Sequence, residues 1–108
     1  MGIYHNAMKE GFDTMTGAEK IARHAALCQE INHLYERKNH DYGDSFGQSF
    51  REEGMAMARI RLGDKFNRFK TLSHRTEQMV ADESIRDTLL DMANYAIMTV
   101  LEMEDIGV

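Results

Sequence analysis

The chain has 108 residues, a length that suits one domain with one modest core. Its composition, 43% hydrophobic and 29% charged, is typical of a globular domain, and its net charge of −5 argues against a general nucleic-acid binder. With one cysteine, no proline and no basic N-terminal segment leading into a long apolar run, we expect a cytoplasmic protein with no intramolecular disulfide and no membrane span.

The N-terminal region divides into a short arm and the start of a helical domain. Residues 1–15 show no sustained apolar period, which predicts a flexible arm ahead of a single domain at 16–108. Thr16 and Glu19 match a capping box, in which each side chain satisfies a backbone amide of the first turn. The spacing of the apolar residues that follow predicts an amphipathic helix of about twenty residues.

A loop and two further helices are predicted next. Residues 38–45 are rich in turn-favouring types and lack an apolar period, so a loop is expected there. A short helix over 46–53, closed by Gly54, follows it. A third helix begins at Met55, with apolar side chains on one side and a polar stripe on the other.

The last predicted helix is apolar nearly all round. Residues 73–81 are polar and predict a connection, after which Asp82 or Ser84 caps a helix that runs to about Asp105. Such a helix should be buried in the centre of a bundle or against a second subunit. The predicted fold is therefore all-α, a small bundle of three to four helices completed by homo-oligomerisation.

Acidic side chains share one face of that last helix. Glu83, Asp87 and Asp91 follow each other at four-residue steps and Asn94 comes three later, within an arc of about 80°. Glu83 and Asp87 fit equally well a solvated acidic face near a helix N-terminus. Asp91 lies among apolar residues, where a carboxylate needs a partner.

The third helix supplies those partners and leaves two interpretations open. It carries Asp64 and a set of cations, which are Arg59, Arg61, Lys65 and Arg68. In one interpretation Arg61 or Arg68 pairs with an acidic residue of the last helix and ties the two helices together. In the other, the guanidinium groups hold phosphate oxygens while Asp64, with Asp87 or Asp91, holds Mg²⁺.

The segment that begins at Lys38 also has two interpretations. Asp41, Tyr42 and Gly43 suit a plain turn, with glycine in the left-handed region. They also suit a pocket wall, in which Tyr42 stacks on a base and Lys38 or Asn39 reads its edge. The sequence contains no zinc-ligand spacing, no glycine-rich phosphate loop and no nucleophile elbow.

Three blocks of sequence resemble a known family. They are Lys38-Asn39-x-Asp41-Tyr42-Gly43, Arg61-Leu62-x-Asp64-Lys65-x-x-Arg68 and Glu83-Ser84-Ile85-Arg86-Asp87-Thr88-Leu89-x-Asp91-x-Ala93-Asn94-Tyr95. Their order and spacing over about residues 30–103 resemble the first nucleotide modification associated domain family, whose members are small helical proteins frequent in bacteriophages and prophages. A weaker similarity is to the all-α NTP pyrophosphohydrolases of the MazG and dimeric dUTPase type. Those use Glu-Glu-x-x-Glu and Glu-x-x-Asp motifs to hold Mg²⁺, whereas this chain has Ala56 and Thr88 in place of two of the glutamates.

The resemblance implies a nucleotide-binding protein of nucleotide metabolism or DNA base modification. Together with the two charged faces it predicts nucleotide contacts from Lys38, Asp41, Tyr42, Arg61, Lys65, Arg68, Asn94 and Tyr95, and Mg²⁺ contacts from Asp64, Asp87 and Asp91. An enzyme with this site would be a Mg²⁺-dependent nucleoside triphosphate pyrophosphohydrolase. The alternatives are a non-catalytic sponge that sequesters a nucleotide signal of host defence, and an adaptor for a modification enzyme.

Overall fold

The structure is a computed structural model that describes residues 13–74 and 78–108, with the backbone alone for 78–83. Within these ranges the chain forms four helices and no strand, so the predicted all-α fold is confirmed. The helices are α1 (Gly17–Tyr42), α2 (Ser45–Glu53), α3 (Met55–Ser73) and α4 (Gln78–Asp105). Most of the predicted arm, residues 1–12, lies outside the described residues. No helix in the described ranges has the length and apolarity needed to cross a membrane.

Helix α1 begins where the sequence predicts and ends later. The backbone N–H of Glu19 donates to Thr16 Oγ1 at 3.1 Å, and that of Thr16 donates to Glu19 Oε1 at 2.9 Å, which confirms the capping box. The loop predicted over 38–45 is wrong for its first five residues, because α1 continues to Tyr42. Polar side chains there face solvent or a cavity instead of a core, so the apolar period stops before the helix does.

Glycines separate the next helices. Gly43 has φ +71° and ψ −170°, a conformation that is essentially restricted to glycine, and it ends α1. Asp44 caps α2 by accepting from the backbone N–H of Gly47 at 3.3 Å. Gly54, also with φ +71°, closes α2 as the sequence predicts.

The predicted start of the last helix is wrong. Residues 78–81, predicted to be part of a connection, belong to α4, so neither Asp82 nor Ser84 is its cap. Neither proline nor glycine occurs in that helix, and its first residues include the good helix formers Gln78 and Ala81. Helix propensity therefore carries α4 back through a segment without an amphipathic pattern.

The buried side of α4 is polar. Helix α4 packs mainly on α3, with smaller contacts to α1 and α2. Among the residues whose side chains the structure describes, the buried apolar ones come from the other three helices: Ile31, Phe50, Ala58 and Leu72. The described residues that α4 buries are polar: Thr88, Asn94, Thr99 and Glu102.

The prediction that α4 is buried nearly all round is wrong for a single chain. Leu89, Ile97, Val100 and Leu101 are between 41% and 54% exposed. The described part of the chain therefore leaves these apolar side chains of α4 exposed. Burial of the other side against a second subunit stays a prediction.

Candidate functional site

A cavity of about 220 Å³ opens where the C-terminal half of α1 meets the start of α2 and the middle of α3 and α4. Its wall is mixed, with aromatic, charged and amide side chains facing the same space. Pockets with a few polar groups set among apolar ones are the usual sites for small ligands. The two asparagines in the wall, Asn39 and Asn94, offer both donors and acceptors.

Aromatic rings form one part of the wall. The rings of Phe46 and Tyr95 stack with centroids 5.8 Å apart and planes inclined by 28°. Tyr42 lies exposed at the edge, and Tyr35 is half-buried. Burial raises the pKa of the Tyr35 phenol, and the Asp44 and Glu102 carboxylates raise it further, so its hydroxyl stays protonated. Flat, sequence-tolerant surfaces of this kind are what nucleobases stack on.

Three cations and two carboxylates share the cavity, and they are unequally paired. Lys65 Nζ donates to Asp91 Oδ2 at 3.1 Å, with both side chains 29% exposed. Lys38 and Arg61 line the same cavity and, within the described part of the chain, have neither an ion-pair nor a hydrogen-bond partner. The cavity therefore presents two positive charges that the fold itself does not neutralise.

A charged cluster behind Asp44 joins α2 to α4. Arg51 Nη1 lies 3.7 Å from Asp44 Oδ2 and 4.0 Å from Glu102 Oε1. Glu102 is only 5% exposed, and its Oε1 has no hydrogen-bond partner among the described residues. Burial raises the pKa of the Glu102 carboxyl, Asp44 and Asp105 raise it further, and Arg51 opposes them. The cluster holds the Asp44 corner of the cavity against α4.

Most of the residues that the sequence predicts as nucleotide ligands come together here. Those that line the cavity are Lys38, Tyr42, Arg61, Lys65, Asn94 and Tyr95. Asp41 and Arg68 are exposed and lie outside it. Asp41 instead contacts the neighbouring His40, and the distance between His40 Nδ1 and Asp41 Oδ1 is 3.2 Å.

The cation that pairs with Asp91 differs from the prediction. One of the two interpretations from the sequence made Arg61 or Arg68 the tie between the third and last helices, whereas the structure uses Lys65. A second tie, between Arg86 of α4 and Glu30 of α1, was also missed; its two hydrogen bonds are both 3.1 Å long. Which residue of a cationic stripe reaches a given carboxylate depends on the rotation and tilt of both helices, and spacing does not give these.

The predicted magnesium ligands are not gathered at the cavity. Asp91 lines it, while Asp64 and Asp87 are exposed and do not. Across the described residues, no three His, Cys, Asp or Glu side chains are grouped so that they could hold a metal ion. The side chain of Glu83 lies outside the described residues. The set of three carboxylates therefore does not fit a metal site as predicted, and a role for Mg²⁺ stays a prediction.

Several wall residues were not predicted as ligands. Asp44, Phe46 and Ser49 come from the start of α2, and Tyr35 comes from α1.

The sequence carried a signal for the buried Glu102, since it lies eleven residues after Asp91. That separation is about three helical turns and puts both carboxylates on one face.

Comparison with known proteins agrees with the motif blocks. A family model described as nucleotide modification associated domain 1 matches residues 38–103, which is more than half of the chain. This range includes every residue that lines the cavity except Tyr35. Neither the curated proteins nor the solved structures gave a match. The chain belongs to the nucleotide modification associated domain 1 family.

Proposed function

We propose that the protein binds a nucleotide in the cavity between its four helices and acts in nucleotide metabolism or DNA base modification. The observation that carries the proposal is a pair of cations, Lys38 and Arg61, that have no partner among the described residues and lie in the same cavity as the stacked rings of Phe46 and Tyr95. A ligand with an anionic group and a planar base satisfies both features at once. Membership of the family supports the same class of ligand.

Each part of the wall has a role in this proposal. Arg61 and Lys38 contact phosphate oxygens, for which the planar guanidinium and the ammonium group are well suited. The Tyr95 and Phe46 rings provide a surface for the base. Asn94 is nearly buried and lines the cavity, so its amide can donate to and accept from a base edge or a sugar hydroxyl.

The contact between Asp91 and Lys65 favours nucleotide binding over Mg²⁺-dependent nucleotide hydrolysis. Its carboxylate already accepts from Lys65 at 3.1 Å, so a metal ion would bind there only in competition with that ammonium group. Hydrolysis that depends on Mg²⁺ is tested directly, by following nucleotides by ³¹P NMR with Mg²⁺ and then with EDTA. A binder leaves each nucleotide intact in both buffers, and a pyrophosphohydrolase releases pyrophosphate in the first only.

Calorimetric titration with the common ribo- and deoxyribonucleotides tests the binding itself. Arg61→Gln should weaken binding at least about tenfold, because a charge-assisted hydrogen bond to phosphate is lost. Arg68→Gln is the matched control, since Arg68 is an exposed cation on the same helix and lies outside the cavity. The nucleotide affinity of Arg68→Gln should equal that of the unmodified protein. Absence of binding for every nucleotide, or equal losses in the two variants, would remove the proposal.

The exposed apolar side of α4 supports a further part of the proposal, self-association. Val100 and Leu101 lie one turn after Ile97 on α4, and Ile97 and Leu101 also border an apolar groove against α1. Burying such side chains on association is favourable by about 25 cal/mol for each square ångström of apolar surface. We propose that a second copy of the chain covers this side.

A further inference from the structure

The charges that line the cavity indicate how many phosphates its ligand carries. We infer that the preferred ligand is a nucleoside monophosphate, whose phosphate is held by Lys38 and Arg61. The inference rests on the proposed nucleotide binding and adds the phosphate number to it.

Two positive charges of the wall are available to a ligand. The ammonium group of Lys65 is neutralised by Asp91 at 3.1 Å. The carboxylate of Asp44 faces Arg51 at 3.7 Å and accepts from a backbone amide. Lys38 and Arg61 remain without partners in the described part of the chain. A phosphate monoester carries about −1.5 to −2 at pH 7, so one such group matches these two cations.

Further phosphates would find unfavourable neighbours. Each one adds negative charge, and within the described residues no other cation of the wall is free to meet it. The other charged side chains of the wall are Asp44 and the paired Lys65 and Asp91, and together they add no net positive charge that could offset a polyphosphate.

A phosphate series tests this inference separately from the proposed function. Calorimetry on the full chain compares a nucleoside with its 5′-mono-, di- and triphosphate, for each common base, first in EDTA and then in Mg²⁺. In both buffers the monophosphate should bind at least about tenfold more tightly than the nucleoside, and at least as tightly as the di- and triphosphate. The Mg²⁺ arm is needed because the ion offsets triphosphate charge.

A triphosphate that binds tenfold or more tightly than the monophosphate, in either buffer, would overturn the inference and leave nucleotide binding intact. A series in which no member binds would overturn both. A 5′-phosphorylated oligonucleotide that outcompetes the free monophosphate would also overturn it, since the ligand would then be a strand end.

A variant pair assigns the phosphate contact. Lys38→Gln should weaken monophosphate binding at least about tenfold and leave nucleoside binding unchanged, because the nucleoside has no phosphate to lose. Arg37→Gln, an exposed cation on the preceding position of α1 and outside the cavity, is the matched control and should change neither affinity. Equal losses of nucleoside and monophosphate binding in Lys38→Gln would overturn the assigned contact, because a general disturbance of the site would explain them.

Discussion

Glu102→Gln should stabilise the protein, because the fold holds this carboxylate at a cost. Glu102 lies on the buried side of α4, and within the ranges that the structure describes its Oε1 has no hydrogen-bond partner. The nearest cation, Arg51, is 4.0 Å away and about half-exposed. Burial raises the pKa of Glu102, which means that the folded chain disfavours the charged form.

The expected gain follows from two opposing contributions. A buried acceptor without a partner costs about 1–3 kcal/mol. The long contact to the half-exposed Arg51 returns about 0.2–1 kcal/mol, as solvent screens it. Glutamine keeps the shape of the side chain and removes the charge, while its amide still needs partners. We therefore expect the free energy of unfolding at neutral pH to rise by about 1 kcal/mol, or Tm by about 4–8 °C.

The pH dependence has a defined sign. The pKa of Glu102 in the folded state lies above its ordinary value of 4.5, which is its pKa in the unfolded chain. At a pH between the unfolded-state pKa and the folded-state pKa, the folded chain binds more protons than the unfolded chain. The contribution of Glu102 to stability therefore falls as pH rises through this window. The advantage of Glu102→Gln should be smallest below pH 4.5 and should grow toward neutral pH.

Urea denaturation followed by circular dichroism, between about pH 4 and pH 8, measures both effects. Glu104→Gln, an exposed carboxylate on the same helix, is the matched control and should leave the unfolding free energy within about 0.5 kcal/mol. A Glu102→Gln variant that is less stable than the unmodified protein at neutral pH would refute the reasoning. The ion pair with Arg51 would then outweigh the cost of burial.

Three other predictions concern the turn, the paired carboxylate and the exposed side of α4. Gly43→Ala should lower the free energy of unfolding by about 1–3 kcal/mol, because Gly43 has a φ of +71°. Gly63→Ala should raise it by about 0.5–1 kcal/mol, because Gly63 lies inside α3 with open space around the new Cβ. Urea denaturation measures both, and a Gly43→Ala variant as stable as the unmodified protein would contradict the first prediction. Asp91→Asn releases Lys65, so calorimetry in EDTA should show tighter triphosphate binding with little change in Tm; weaker binding confined to Mg²⁺ would instead identify Asp91 as a metal ligand. Sedimentation should show an oligomer that Val100→Lys dissociates at micromolar concentration, and a monomeric unmodified protein would exclude self-association through α4.

Features set by a few neighbouring residues could be read from the sequence. The capping box at Thr16, the end of α2 at Gly54 and the all-α fold each depend on local backbone chemistry. The motif blocks were enough to indicate the family and to nominate Lys38 and Arg61, which the fold then places in one cavity. The extent of α1 and α4 was less predictable, since polar turns of helix look like loops when apolar spacing is the signal.

The rotation of α4 about its axis was decided only by the tertiary structure. Because apolar side chains surround that helix, its sequence favours no single face for packing. The buried side of α4 carries Thr88, Asn94 and Glu102, and Ile97 and Val100 are left exposed. That rotation brings Asp91 to Lys65, while Lys38 and Arg61 have no partner in the described part of the chain. Local patterns thus determine the fold class and the helix caps, while the packing of whole helices determines which charges cancel and which remain for a ligand.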